Sequence, residues 1–264
     1  MNSSPRAVNH RAETTEETKT KEPEMFRSKA SPAPVLWTSK CDGEVKLRLE
    51  ETGVGSRKPI TFHELFQESI KNYGNYYALA SKEGDKWIKI TYKQYYEECQ
   101  KTAKSFLNLG LERFHGFIAD IGAILAGGFA VGIYMTNSPE ACRYVAENCG
   151  ANILVVENHK QLQKILEVQH KLPLLKAIIQ YGEEMKEKRP NLYTWVEFMT
   201  LGSDVPDSEL DSIIESQKPN QCCTLIYTSG TAGQLKGVML SHDNITWTAF
   251  ARAPLANFKG HART

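Results

Sequence analysis

Between residues 225 and 240 the chain reads Leu-Ile-Tyr-Thr-Ser-Gly-Thr-Ala-Gly-Gln-Leu-Lys-Gly-Val-Met-Leu, a loop rich in hydroxyls and glycine that ends in lysine between two apolar runs. These residue types suit an anion. Gly230 and Gly233 permit backbone conformations in which successive N–H groups turn toward one phosphate, Thr228, Ser229 and Thr231 add hydroxyl donors, and Lys236 adds a full positive charge. The loop is not a Walker A motif, because Leu235 precedes Lys236 and Gly237 follows it where that motif needs Gly-Lys-Ser/Thr. A plain surface loop of Gly, Ser and Thr is the competing reading. The coincidence of hydroxyls, lysine and flanking apolar runs argues against it.

The elements that position this loop are legible on either side. Cys222 to Tyr227 is a strand that leads into it. Earlier, Thr61-Phe62-His63-Glu64 is a capping box that opens a helix with Leu65, Phe66 and Ile70 on one face. Thr91-Tyr92-Lys93-Gln94 repeats the device before a helix carrying Tyr95, Cys99, Ala103, Phe106 and Leu107, which Gly110 stops. Residues 118–126 form a helix, Gly127-Gly128 a cap and residues 129–134 a strand. Ser138 caps a helix with Pro139 in its first turn, Gly150 stops it, and Ile153 to Val156 is a buried strand. A helix with Leu162, Ile165 and Leu166 follows, then a strand at Ala177 to Ile179. This rhythm predicts an α/β fold with a parallel sheet covered by helices. Val45, Leu47 and Leu49 alternate with Lys46 and Arg48 as a half-exposed strand would. Residues 186–217 are polar and read as a loop with one short helix.

Composition narrows the function classes. The 264 residues are 41% hydrophobic with a net charge of +1, so a sizeable core is available and no global field selects nucleic acid. Residues 1–34 are rich in Thr, Ser, Glu, Lys and Pro without an apolar period, so they are expected to be a disordered tail, with the folded domain over 35–264. The six cysteines have no Cys-x-x-Cys spacing and no apolar signal segment follows Met1, which points to reduced thiols in the cytosol. Zinc ligation by Cys142, Cys149 and His159 is a weaker reading than buried structural cysteine. The apolar stretch 117–135 is not read as a membrane span, because Asp120 would lie inside it and Gly127-Gly128 divides it. His242 has a pKa suited to proton transfer, but a helix-entry role after Ser241 is the better reading. A Ser229, His242 and Asp243 triad lacks the nucleophile elbow.

At the loop the chain resembles the adenylate-forming enzymes, whose phosphate loop reads approximately Tyr-Thr-Ser-Gly-Thr-Thr-Gly-x-Pro-Lys-Gly. Ala232 stands where that pattern has a hydroxyl residue and Leu235 where it has proline. The segments at 87–92, 122–128, 137–142 and 241–247 are similar to the bubblegum-type long-chain acyl-CoA synthetases in particular. The likeness runs from about Val35 to Trp247, the front third of a complete family member. It implies the partial N-terminal domain of the adenylate-forming fold and ATP-dependent activation of a long-chain fatty acid through an acyl-adenylate, with coenzyme A as the second acceptor. By the same resemblance, the stretch Thr228, Ser229, Gly230, Thr231, Ala232, Gly233, Gln234, Leu235 and Lys236 holds ATP phosphates, and Thr231 contacts Mg²⁺.

Departures from the family pattern carry expectations of their own. The family's adenine and metal motif, its ribose-binding aspartate and the lysine of its C-terminal domain have no counterpart in these residues. No catalytic residue is therefore assigned, and the chain alone is expected to be inactive. About a dozen residues, including a strand, are absent between Arg113 and Gly122, which should leave backbone edges and apolar faces uncovered. Residues 249–264 read as a short basic end without an apolar period. The alternative reading is a truncated isoform acting as an interaction or regulatory module, or an unstable splice product. ATP, a fatty acid and coenzyme A are the expected partners, without nucleic acid or a transmembrane helix. Localisation is expected to be cytoplasmic, with peripheral membrane contact left open.

Overall fold

The computed structural model describes residues 38, 40, 43–47, 49–111, 119–229 and 235–252. The expected disordered tail therefore lies outside the described residues, as do the expected missing strand's neighbours at 112–118 and the loop residues 230–234.

The first helix, α1 (Phe62–Tyr73), starts where the capping box places it. The Thr61 hydroxyl accepts from the Glu64 N–H at 3.2 Å and the Glu64 carboxylate accepts from the Thr61 N–H at 2.7 Å. Strands β1 (Tyr77–Glu83) and β2 (Lys86–Thr91) then form an antiparallel hairpin, and Thr91 with Gln94 closes a second capping box at the head of α2 (Tyr92–Asn108). The chain continues through α3 (Ala119–Leu125), β3 (Ala130–Gly132), α4 (Pro139–Asn148), β4 (Ile153–Val156), α5 (His159–Val168) and β5 (Ala177–Gln180). The described residues go on through β6 (Leu192–Thr194), α6 (Trp195–Leu201), α7 (Asp207–Ser216), β7 (Cys222–Ser229), β8 (Leu235–Ser241) and α8 (His242–Arg252). The expected helix stops at Gly110, Gly127 and Gly150 take φ of 67°, 79° and 70°, the left-handed region that side-chain-bearing residues avoid.

Among the described residues there are, besides the β1–β2 hairpin, two three-stranded sheets, in the orders β3-β7-β8 and β4-β5-β6. Every pairing in the second is parallel, and β3 pairs parallel with β7. Only β8 runs antiparallel to its neighbour in these two sheets. The continuous apolar run Ile153–Val156 follows from burial on both faces. Leu154 and Val156 join a core with Val145, Leu162 and Ile165 beneath α4 and α5, whereas Ile153 and Ile179 join Phe106, Leu125 and Phe198 beneath α2, α3 and α6. The Phe106 and Phe198 rings, 4.8 Å apart, lock α2 onto α6.

Three expectations are corrected and one strand is added. Residues 43–47 form no strand; Val45 instead offers its carbonyl to the Asn220 amide at 3.3 Å, because no neighbouring strand supplies the ladder that an alternating pattern alone cannot create. The stretch read as a loop over 186–217 contains β6, α6 and α7, with Thr194 and Glu197 forming a third capping box. The strand β1, which had no counterpart in the sequence reading, pairs with β2 through exposed positions such as Leu79 and Ile88. Ala249 to Arg252 belong to α8 rather than to a structureless end, since the helix begun at Ser241 propagates through them.

Candidate phosphate-binding hairpin

The loop singled out in the sequence sits at the tip of the β7–β8 hairpin. Its register pairs Ser229 with Leu235, Thr228 with Lys236, Tyr227 with Gly237, Ile226 with Val238 and Leu225 with Met239. Side chains alternate across a sheet, so two faces result. Leu225 and Tyr227 are buried, while Ile226 and Thr228 are exposed opposite an equally exposed Lys236 and Val238. A hydroxyl and a cation therefore share the solvent face at the last described pairs before the tip. Residues Gly230, Thr231, Ala232, Gly233 and Gln234 lie outside the described residues, as does the side chain of Ser229.

The buried face of the hairpin is braced from α4. The Tyr144 hydroxyl donates to the Leu235 carbonyl at 3.0 Å, and the Tyr227 hydroxyl donates to Asn148 Oδ1 at 2.6 Å. Burial pushes the Tyr227 phenol well above its ordinary range, so it stays a neutral donor. Gly237 packs closely opposite it: a Cβ there would lie 3.1 Å from Tyr227 Cζ, so a side chain would make the ring give by a few tenths of an ångström. The glycine that follows lysine in the family pattern carries no sign of this contact, and Tyr144 and Asn148, one helical turn apart on α4, carry no sequence signal for partners 91 and 79 residues away.

His242 takes the helix-entry role. It is 3% exposed, its Nδ1 accepts the Phe62 N–H at 3.2 Å, and burial pushes its pKa down to about 4, so it is a neutral structural acceptor joining α8 to α1. Ser241 caps the helix, with its hydroxyl accepting from the Asn244 N–H at 3.2 Å and the Asn244 side-chain Oδ1 accepting from the Ser241 N–H at 3.0 Å. Ser229 and His242 lie at opposite ends of the hairpin, about 20 Å of strand apart, so they do not form a triad. Cys142 on α4 and Cys149 just after its end lie in the core, and among the described residues no cluster of His, Cys, Asp and Glu could hold a metal. No helix among them is long and apolar enough to cross a membrane; the apolar stretch after residue 118 is α3 and β3.

Comparison with known proteins agrees with this geometry. Residues 66–262 match the AMP-binding enzyme family. The chain is 67% identical to the long-chain-fatty-acid–CoA ligase ACSBG2 of Gallus gallus over 236 residues, covering 85% of this chain and 31% of that protein. It is 55% identical to the ACSBG2 ligase of Homo sapiens over 243 residues, covering 88% of this chain and 36% of that protein. The chain thus spans about a third of the length of these relatives. Within the Gallus gallus alignment of 236 positions, 85% of 264 residues is about 224, so about a dozen aligned positions have no residue here. Among solved structures, the anthranilate CoA ligase AuaEII in complex with anthranoyl-AMP superposes with a TM-score of 0.57 at 20% identity, over 75% of this chain and 38% of that one. The A domain of carboxylic acid reductase from Segniliparus rugosus, in complex with AMP and a co-purified carboxylic acid, gives 0.55 at 14% identity, over 72% of this chain and 37% of that one. The family match over residues 66–262 and the identity to these relatives, on a fold shared with the solved adenylate-forming structures, establish that this chain belongs to the AMP-binding enzyme family.

Proposed function

We propose that the β7–β8 hairpin carries the phosphate loop of a long-chain fatty acid:CoA ligase. In this reading Thr228, Ser229, Gly230, Thr231, Gly233 and Lys236 contact the β- and γ-phosphates of ATP, with Ala232, Gln234 and Leu235 completing the loop and Thr231 nearest to Mg²⁺. The observation that carries it is the cross-strand pair of Thr228 and Lys236, a hydroxyl beside a cation on the solvent face of a braced hairpin. Backbone N–H groups and Lys236 would hold negative charge as pyrophosphate leaves the α-phosphate under attack by the fatty carboxylate. Mg²⁺, when bound, neutralises part of the phosphate charge. Coenzyme A is the acceptor in the second half-reaction. The buried thiols of Cys99, Cys142 and Cys223 fit a reducing compartment, and the cytosol, with peripheral contact to the membranes that hold fatty substrates, is the location we adopt.

The absence of about a dozen aligned positions favours a second reading, in which this form is a binding or regulatory module rather than a working ligase. Competition against labelled ATP tests the phosphate-loop reading that both share. Pyrophosphate is expected to displace ATP and adenosine to displace it poorly. Displacement by adenosine with no effect of pyrophosphate would contradict the assignment.

A further inference from the structure

We propose that the space between β3 and β4 is a strand-acceptor slot, which takes an extended apolar segment of another polypeptide as an added strand parallel to both. A cavity of about 780 Å³ lies between these strands, lined in unbroken sequence by Ala130 to Met135 on one side and by Ile153 to Glu157 on the other. Each strand is the end member of its sheet. Among the described residues β3 pairs only with β7 and β4 only with β5, so both present an unpaired backbone edge to the same cavity.

The connection β3–α4–β4 is a strand–helix–strand crossover, the arrangement that runs two strands in the same direction. A segment between them would thus join the two sheets into one running from β8 through β7 and β3 to β4, β5 and β6, parallel throughout except at β8. The walls above and below are apolar: Ile124 on α3 closes one face, and Cys142 on α4 with Ile165 on α5 closes the other. An occupant must be apolar on both faces, as the interior strands of a covered parallel sheet are. It must also bring backbone donors and acceptors along both of its sides. An acyl chain meets the first requirement and fails the second, since it leaves two rows of buried polar groups unpaired. Asp120 Oδ1, which has no hydrogen-bond partner among the described residues, lines the same cavity and adds an acceptor for such a segment. The four residues of β4 set a length of about 13 Å, a strand of four or five residues.

Relatives as similar as 67% place about a dozen more residues within the aligned stretch. By the family resemblance that deficit falls between Arg113 and Gly122, at the head of α3, whose Asp120, Ile121 and Ile124 line the slot. The recognition mode is strand addition, in which main-chain pairing gives affinity and alternate side chains give selectivity. This inference does not depend on the phosphate-loop reading.

The test uses the 264-residue chain in dilute solution with a capped, fluorescent peptide Lys-Val-Ile-Val-Ile-Lys. Amide hydrogen exchange is followed at Ala130 to Gly132 and Ile153 to Val156. Saturable binding with at least about tenfold slower exchange in both strands is expected, and a peptide with alternate amides N-methylated should neither bind nor protect. Equal protection by the N-methylated peptide, or by oleate, would overturn the proposal by making the slot a simple apolar cavity. Full protection of both strands before any peptide is added would overturn it by showing the edges already paired. Protection that rises with protein concentration alone would overturn it in favour of a second copy of the chain.

Discussion

Thr228 lies directly opposite Lys236 across the β7–β8 hairpin, and both side chains are exposed. The pairing brings a hydroxyl and a cation eight residues apart in sequence side by side, while the register buries their neighbours Tyr227 and Leu225. What holds it is remote from the loop: Tyr144 and Asn148 on α4 grip Leu235 and Tyr227.

The brace gives the first prediction. Gly237→Val forces a side chain into the Tyr227 ring and should destabilise the chain by about 1–3 kcal/mol, read as a lower urea midpoint with an unchanged slope. Tyr227→Phe leaves the Asn148 side-chain Oδ1 without this donor and should cost about 1 kcal/mol. A Gly237→Val protein as stable as the parent would mean that the hairpin does not pack as described.

Much of this arrangement was legible because its signals are local. The caps at Thr61, Thr91 and Ser138 announce helices from three or four adjacent residues, and Ile153 to Val156 announces a strand buried on both faces. The same Thr-x-x-Glu signature at Thr194 and Glu197 was lost inside a polar stretch, because the strand before it, β6, is only three residues long. The alternation at Val45 to Leu49 misled, since a strand exists only where another backbone pairs with it. The phosphate loop was legible from its residue types. That Thr228 faces Lys236, and that the Tyr227 ring packs closely against Gly237, depends on a register and on contacts that sequence spacing does not encode.

Two buried titratable groups predict an unusual pH profile. Burial raises the Asp120 carboxyl from 3.8 to about 8, so the folded state holds its proton more tightly than the unfolded one, and stability falls as pH rises through that window. Burial lowers His242 from 6.5 to about 4, so stability rises with pH between those values. The two slopes, each roughly 1.4 kcal/mol per pH unit at most, oppose one another between about pH 4 and 6.5 and leave Asp120 alone between about 6.5 and 8. Chemical denaturation at a series of pH values should therefore show stability declining from 6.5 to 8, and Asp120→Asn should flatten that decline. A parent protein whose stability is constant or rises across that interval would contradict the burial of Asp120.

Catalysis gives a third expectation. The 264 residues by themselves should form no acyl-CoA, because in-line attack needs carboxylate, α-phosphate and metal held together, and small misplacements already cost orders of magnitude. Single-turnover assays with a long-chain acid, MgATP and coenzyme A, at enzyme above substrate, read this directly. Product above the level given by Lys236→Ala would show a working ligase within this length.

The central claim is that the hairpin tip binds nucleotide through its phosphates, and calorimetric titration of MgATP into the parent and Lys236→Ala proteins tests it most directly. Lys236 is exposed and makes no contact that the core needs, so the variant should keep the parent's thermal midpoint. Its ATP affinity should fall by roughly tenfold to a hundredfold, the loss of about 1.4–3 kcal/mol that a charge-assisted contact supplies. A folded Lys236→Ala protein that binds MgATP as tightly as the parent would contradict the account.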